Sequence, residues 1–481
     1  MSEWLRISPT PEVTLTSGPD LAGTVTIHSP ASDPVVISDL DHGVAAALTE
    51  LSRTPLTIRD MTELAAKEGP ASDPSVLAVT ITRLLRAGLV RLQSVVGQRE
   101  IAEGVLISAR GECAPVTLGG EQTVRLSRFA HLMRKGEEMV VESPTAFARV
   151  TLADPALAAV IGFLGRARTV ADLCAMSSCT AADTEAFLHL LVALGLAGAT
   201  DDSGLLAEER DPDLVPREFH DVLLHQLSRD GLADRATGGV FPFLGAQAPL
   251  PALKTMPGEL IPLPRPDLDA LVATDPSLAR TMETRRSIRT MGEKPLTREQ
   301  LGELLFRVAR VKEIIPPGTD AEGRPPYESS RRPYPSGGAS YDLEFYLTVR
   351  KCVGIAPGLY HYDPVYHGLR LVTANARRYI ALIDDAHGST ARHTVPHVVL
   401  TLASRFNRLA WKYRGISYAT TLKNVGVVYQ SVYLAATAMG IAVCGAGGGN
   451  SARFAAATGI DPMVESSVGE MIIGSLPEDS S

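Results

Sequence analysis

Residues 331–349 read Arg331-Arg-Pro-Tyr-Pro-Ser-Gly-Gly-Ala-Ser-Tyr341 and then Asp342-Leu-Glu-Phe-Tyr-Leu-Thr-Val349. The first half is a turn. Pro335 fixes the backbone, and Gly337 and Gly338 let it approach a ligand closely. Ser336 offers a hydroxyl to a carbonyl or a phosphate. The second half is a strand, because Tyr341, Leu343, Phe345, Leu347 and Val349 alternate with Asp342, Glu344, Tyr346 and Thr348. A hairpin is expected next, from Gly358-Leu-Tyr-His-Tyr and Gly368-Leu-Arg-Leu-Val, with Asp363-Pro364 in its turn.

Working outward, three further elements flank this stretch. Upstream, Glu283-Thr-Arg-Arg-Ser-Ile-Arg carries Arg285, Arg286, Ser287 and Arg289, donors suited to phosphate oxygens. Alone, such an Arg-rich heptapeptide reads as solvated surface. Thr297-Arg-Glu-Gln then predicts a capping box, and Leu301, Leu304, Leu305 and Val308 form a helical stripe. Downstream stands Trp411-Lys-Tyr-Arg-Gly-Ile-Ser-Tyr. A long segment from Leu422 to Gly440, apolar nearly all round, predicts a core helix that Gly440 stops. It leads into Ile441-Ala-Val-Cys-Gly-Ala-Gly-Gly-Gly-Asn, whose glycines Gly445 to Gly449 can present bare amides to a ring edge.

Composition sets the outer limits. The 481 residues suggest roughly three domains. The chain is 45% hydrophobic and 21% charged, the balance of a globular protein. A net charge of −8 argues against a general nucleic-acid binder. Met1-Ser-Glu-Trp-Leu-Arg lacks the pattern of a signal peptide, and no apolar run reaches bilayer length, so a cytoplasmic protein without membrane contact is expected. The five cysteines, Cys113, Cys174, Cys179, Cys352 and Cys444, are widely spaced and lack nearby His partners. Buried or half-buried thiols are expected, with neither a disulfide framework nor a metal site.

The N-terminal half contains one duplication. Leu40, Val44, Leu48 and Leu51 predict a helix; a second starts near Thr57; a third carries Val76, Val79, Ile81, Leu84 and Leu85 and ends at Gly88; a strand follows. The order recurs from Leu152, Thr169 and Thr184, and Gly195 falls where Gly88 falls. This reads as two winged-helix-like units, 1–120 and 121–210. The first copy offers only Arg83 and Arg86 on its third helix, and the second copy offers neither Arg nor Lys there. A peptide clamp or a packing module therefore fits better than a DNA reader. Residues 211–280, rich in Pro and Gly, read as an extended linker wrapping the next domain, with one helix near Glu218. Residues 281–481 form the C-terminal domain.

The order of the four C-terminal elements resembles the SagB-type peptide (azoline) dehydrogenases of the FMN-dependent nitroreductase superfamily. Ser127-Arg-Phe-Ala, Glu142-Ser-Pro and Glu218-Phe-His-Asp carry the resemblance upstream. It implies an α+β protein, with an antiparallel-rich sheet flanked by helices, one FMN and a homodimer with the flavin at the subunit interface. Arg285, Arg286, Ser287 and Arg289 would then hold the ribityl phosphate. Pro335, Ser336, Gly337 and Gly338 would contact the flavin from the partner subunit. Asn424 would make a polar flavin contact, and Gly445, Gly447 and Gly448 would face the isoalloxazine edge. Lys412 and Tyr413 match the pair assigned as catalytic in azoline dehydrogenases. One departure stands out. Many nitroreductases carry basic residues near the C-terminus that help hold the phosphate, and Val468 to Pro477 has none.

The implied reaction oxidises thiazoline or oxazoline rings of a ribosomal precursor peptide to thiazoles or oxazoles, possible partners including a cyclodehydratase. A base takes the proton from carbon alpha while a hydride leaves carbon beta. Desolvation favours the neutral form of a lysine, which suits Lys412 to that task. Two other readings are an NAD(P)H-dependent nitro or quinone reductase and a flavin-free peptide-binding scaffold. A reductase of small molecules needs no duplicated N-terminal units, and a scaffold needs no Lys-Tyr pair.

Overall fold

The computed structural model describes residues 5–16, 23–29, 32–69, 72–114, 116–229, 236–318 and 326–478. Most of the N-terminal stretch read for a signal peptide, Met1 to Trp4, lies outside them. The chain divides into two compact units, Met1–Thr237 and Gly238–Ser481. The segment expected as a single linker is thus shared between them.

In the first unit the duplicated element order is present. Helices His42–Leu51, Ile58–Glu68 and Pro74–Arg86 precede the strand Val90–Val96. Helices Leu157–Phe163, Val170–Met176 and Ala181–Ala193 precede the short strand Ala197–Ala199. Both third helices end alike. Gly88 and Gly195 take φ of +68° and +69°. Leu89 N donates to Leu84 O (3.0 Å) and Leu196 N donates to Leu191 O (2.9 Å), the long bond of a Schellman cap. The copies do not close separately. One six-stranded sheet runs Leu5–Pro9, Val90–Val96, Arg99–Leu106, Ala148–Leu152, Glu138–Ser143, His131–Lys135, and so takes strands from both. Phe187, Leu190 and Leu191 share one continuous core with Leu48, Leu92 and Ile101. The predicted helix near Glu218 is Phe219–Arg229, but it is not the one helix of residues 211–280, because Leu268–Thr274 is helical too and Leu278–Thr284 begins there.

The second unit is a three-layer sandwich. Its seven-stranded sheet runs Leu260–Pro262, Gly368–Thr373, Gly358–Asp363, Leu343–Val349, Val398–Arg405, Glu465–Ser475, Ile441–Gly445, and every neighbouring pair is antiparallel. The predicted hairpin is there, Asp363 opposite Gly368. Its turn is held by Asp363 Oδ1, which accepts from Val365 N and Tyr366 N. On one face, Leu343, Phe345 and Leu347 pack against Val425, Val428 and Val432 of the long helix Ser417–Ala438 and against Leu301, Leu304 and Leu305 of the helix Arg298–Ala309. That second helix starts at the predicted capping box of Thr297 and Gln300. On the other face, Tyr346, Val399 and Ile472 pack with Tyr379, Ile383 and Phe454 from helices Ala376–Ser389 and Ser451–Thr458. Each such buried side chain contributes about 1.5–3 kcal/mol of transfer free energy.

Two sequence readings are modified. The polar positions of the strand Leu343–Val349 are as buried as the apolar ones. They feed a network in which Glu344 accepts from Arg405 (3.2 Å) and pairs with His361 (2.9 Å). Tyr346 Oη donates to Glu465, which Lys254 also reaches (2.6 Å each). The long helix does not bury its whole circumference either. Tyr418 and Leu422 are 46% and 41% exposed, while Asn424, Val425, Val428 and Val432 are buried. Among the described residues no helix is long and apolar enough to cross a membrane. The five cysteines are free thiols.

Candidate active site

The Pro-Ser-Gly-Gly loop is built on strained backbone. Gly338, Ala339 and Tyr341 take φ of +57°, +53° and +48°. The two non-glycine positions cost about 1–2 kcal/mol each. Outliers of this kind persist where surrounding contacts over-determine them, often at functional sites. Those contacts are dense here. Tyr341 N donates to Ser336 Oγ (3.0 Å), and Tyr341 Oη donates to Tyr334 O (3.0 Å). Asn424, buried on the long helix, accepts from Gly337 N (3.0 Å) and donates to Ser336 Oγ (3.1 Å) and Asp342 Oδ1 (2.7 Å). Its two amide hydrogens are thus committed to the loop and to Asp342. Asp342 is fully buried and also accepts from Ser404 (2.7 Å) and Thr421 (2.9 Å).

Lys412 and Tyr413 meet this loop at Gly338. A Cβ added at Gly338 would lie 2.3 Å from Lys412 Nζ and 2.5 Å from Tyr413 Oη. The pair follows the short helix Phe406–Ala410, whose Leu409 carbonyl accepts from both their amides. The segment after Gly238 locks it from the other side. Gly238 and Arg414 exchange two backbone hydrogen bonds, and Phe241 N donates to Lys412 O (3.0 Å). The Lys412 ammonium stands 5.6, 5.3 and 5.2 Å from the ring centroids of Phe241, Tyr327 and Tyr413. Three aromatic rings therefore surround the lysine head group.

Arg408 ties the parts together. Buried, it donates to Ser340 O (2.7 Å), to Leu250 O (2.6 Å) and to Glu328 O, from three separate segments. Burial, followed by the neighbouring Arg405, lowers its pKa to about 10, so it stays charged at neutral pH. Arg405 donates to Pro251 O, Arg332 to Ala252 O (3.4 Å) and Trp411 Nε1 to Gln247 O (2.8 Å). The arm 247–252 is therefore gripped through its carbonyls.

A second group forms toward the other end of the long helix. Ser287 Oγ hydrogen-bonds Tyr433 Oη (2.9 Å), which accepts from Gly445 N (2.8 Å). The Arg285 guanidinium lies 5.3 Å from the Tyr433 ring centroid. Ile288 N donates to Val443 O (2.9 Å), which lays this stretch beside the strand Ile441–Gly445. Arg286 and Arg289 point outward from the same stretch, exposed. Gly447 and Gly448 have no atom nearer than 4.0 Å to an added Cβ, so their backbone faces open space. They line an open cavity of about 210 Å³ with Tyr429, Ala446, Gly449 and Glu470. Burial raises the Glu470 carboxyl above the usual range.

The structure thus gathers Ser336, Gly337, Gly338, Asn424, Lys412 and Tyr413 in one cluster. It gathers Arg285, Ser287 and Gly445 in another. Pro335 is exposed at the entrance of the first loop. Nine residues separate Asn424 from Tyr433, about 13 Å along the helix axis. The donor set of the second cluster suits a phosphate. Arg285 and Arg289 pair with no acidic side chain among the described residues, and a hydroxyl and open glycine amides lie close by. The residues present fit FMN. Among the described residues no cluster of His, Cys, Asp and Glu is placed to hold a metal. Tyr327, Phe241, Asp342, Arg408 and Tyr433 were not singled out by sequence. The spacing of Arg405 and Arg408 beside an apolar strand was the one signal available for any of them.

Parts of both units are similar to known proteins. Residues 282–475 match the nitroreductase family, and residues 124–234 match the cyanobactin oxidase ThcOx family. MJ1384 of Methanocaldococcus jannaschii, whose name assigns it to the nitroreductases, is 29% identical over 191 residues, 40% of this chain and 85% of that protein. The microcin B17-processing protein McbC of Escherichia coli is 33% identical over 120 residues, 24% of this chain and 43% of McbC, so the match spans under half of that relative. Among solved structures, the E. coli microcin synthetase McbBCD complex with truncated pro-MccB17 bound matches at 22% identity and a TM-score of 0.33, covering 42% of this chain and 74% of the other. The chain carries a nitroreductase-family domain behind a ThcOx-family region, in keeping with the SagB-type azoline dehydrogenases that its sequence resembles.

Proposed function

We propose that this protein is an FMN-dependent dehydrogenase that oxidises thiazoline or oxazoline rings of a ribosomally made precursor peptide to thiazoles or oxazoles. The observation that carries the reading is the convergence of Lys412 Nζ and Tyr413 Oη on Gly338 of the Pro-Ser-Gly-Gly loop. FMN, when bound, supplies the hydride acceptor and returns its electrons to dioxygen. Arg285, Arg286, Ser287 and Arg289 hold its phosphate; Pro335, Ser336, Gly337, Gly338, Gly445, Gly447 and Gly448 line its ring. Lys412, paired with Tyr413, takes the one carbon-alpha proton. Asn424 serves by fixing the loop. The split of the site along one helix, together with the exposed Tyr418, Leu422, Val272, Leu278 and Met282, supports a homodimer in which each flavin is held by both copies.

The N-terminal unit is read as the peptide clamp. Its sheet ends on the strand His131–Lys135, an edge to which an extended peptide can add. The likeness to McbC and ThcOx supports a peptide substrate and a cyclodehydratase partner. The free thiols agree with a cytoplasmic protein. A second reading, an NAD(P)H-dependent reductase, is favoured by the likeness to MJ1384. Mass spectrometry of a cyclised precursor peptide separates the two. Loss of two hydrogens per ring, abolished by Lys412→Ala with flavin absorbance retained, supports the dehydrogenase. Bleaching by NADPH with no change in the peptide mass supports the reductase.

A further inference from the structure

Tyr327 occupies a place that neither its sequence context nor the family match explains. It is 2% exposed. Its hydroxyl donates to Gly338 O (2.5 Å) and accepts from Lys412 Nζ (3.0 Å). A phenol has one proton, and Gly338 O has no proton to give. With that proton committed to the carbonyl, only lone pairs face the lysine. The ring is held edge-on to Trp411 (5.8 Å) and under the Arg408 guanidinium (5.1 Å). The neighbouring Glu328 is fixed twice, its carbonyl by Arg408 and its carboxylate by Ala252 N (2.9 Å). Nothing in this arrangement lets the phenol swing away without breaking buried contacts.

We propose that Tyr327 is the positioning residue for Lys412. One N–H of Lys412 is tied to Tyr327 Oη in both the charged and the neutral amine. The tetrahedral nitrogen then directs its remaining hydrogens, and the lone pair of the neutral form, away from Tyr327. The tether reports on the loop as well, because the same hydroxyl binds the carbonyl of Gly338, the residue the lysine touches. The lysine and the Gly338 carbonyl are therefore tied to one oxygen atom. Phe241 and Tyr413 supply only ring faces to the ammonium and cannot replace that directional bond.

The inference rests on the assignment of Lys412 as the base, and its test separates the two. Full-length protein reconstituted with FMN is compared as wild type, Tyr327→Phe and Lys412→Ala. Phenylalanine keeps the ring contacts with Trp411 and Arg408 and removes only the oxygen. Azole formation in Tyr327→Phe should show a kcat about 10- to 100-fold lower with KM changed by less than about threefold, the pattern of a misaimed group rather than lost binding. Peptide-mapped acetylation by acetic anhydride, read on FMN-free protein too, should label Lys412 at least about threefold faster in Tyr327→Phe, because the tethered amine has become free. This second measurement does not require turnover. Wild-type values for either kcat or Lys412 labelling overturn the positioning role. Wild-type turnover in Lys412→Ala overturns the base assignment instead, and the labelling rate still decides whether the tether exists.

Discussion

Replacing Gly338 with alanine tests the geometry of the site at its tightest point. Two costs follow from the coordinates. The position has φ +57°, and an L-residue there costs about 1–2 kcal/mol. The new methyl would also lie 2.3 Å from Lys412 Nζ and 2.5 Å from Tyr413 Oη. Ordinary contact is about 3.5 Å, so both groups must retreat by about 1 Å. Both are the ends of side chains, so the fold survives. A displacement of that size at reacting groups costs about 100-fold in rate. Gly338→Ala should therefore melt a few degrees lower, roughly 2–4 °C for each kcal/mol in a unit of this size. It should retain flavin absorbance and lose about 99% of azoline turnover, measured by mass spectrometry of the peptide. Turnover within about twofold of wild type would show that Lys412 and Tyr413 do not act from where they stand.

Three further expectations are checked more simply. Arg408→Leu strands three buried carbonyls, each worth about 1–3 kcal/mol, and should lower the urea midpoint sharply; a shift worth less than about 1 kcal/mol contradicts the linchpin role. Asn424→Ala frees Gly337 N and Ser336 and should reduce flavin occupancy as well as turnover, and unchanged absorbance per protein would refute it. Burial pushes the Glu344 carboxyl up, but His361, Arg405 and Arg332 outweigh it and leave the group below its ordinary 4.5. The stabilisation from that shift is present above pH 4.5 and lost as pH falls through the lower folded value. Glu344→Gln should be less stable at neutral pH and flatter than wild type below 4.5, and parallel acid-unfolding curves would contradict this.

The local features were legible because local chemistry sets them. The capping box at Thr297, the Asp363 turn and the stop at Gly440 each depend on residues a few positions apart. Ser336, Gly338, Lys412 and Tyr413 were each named through the family resemblance, but their meeting within one chain is visible only in the fold. What escaped depends on pairs distant in sequence. Tyr327 meets Lys412 across 85 residues, and Arg408 meets Leu250 across 158. Asn424 was expected to contact the flavin because the family resemblance implies a polar contact there. Only the fold shows that loop backbone, Ser336 and Asp342 already use its amide. The alternation of Leu343–Val349 gave no hint that Arg405, His361 and Lys254 cover its polar positions.

The arm around residues 247–252 has a consequence for how such proteins diverge. Trp411, Arg408, Arg405 and Arg332 grip Gln247, Leu250, Pro251 and Ala252 by their carbonyl oxygens. Every amino acid, proline included, supplies that oxygen. The gripped positions can therefore drift through almost any substitution while the path of the chain stays fixed. The gripping side chains have no such freedom. Relatives can share this arm in space while their arm sequences refuse to align. The record of its presence is then written in three arginines and a tryptophan elsewhere in the chain.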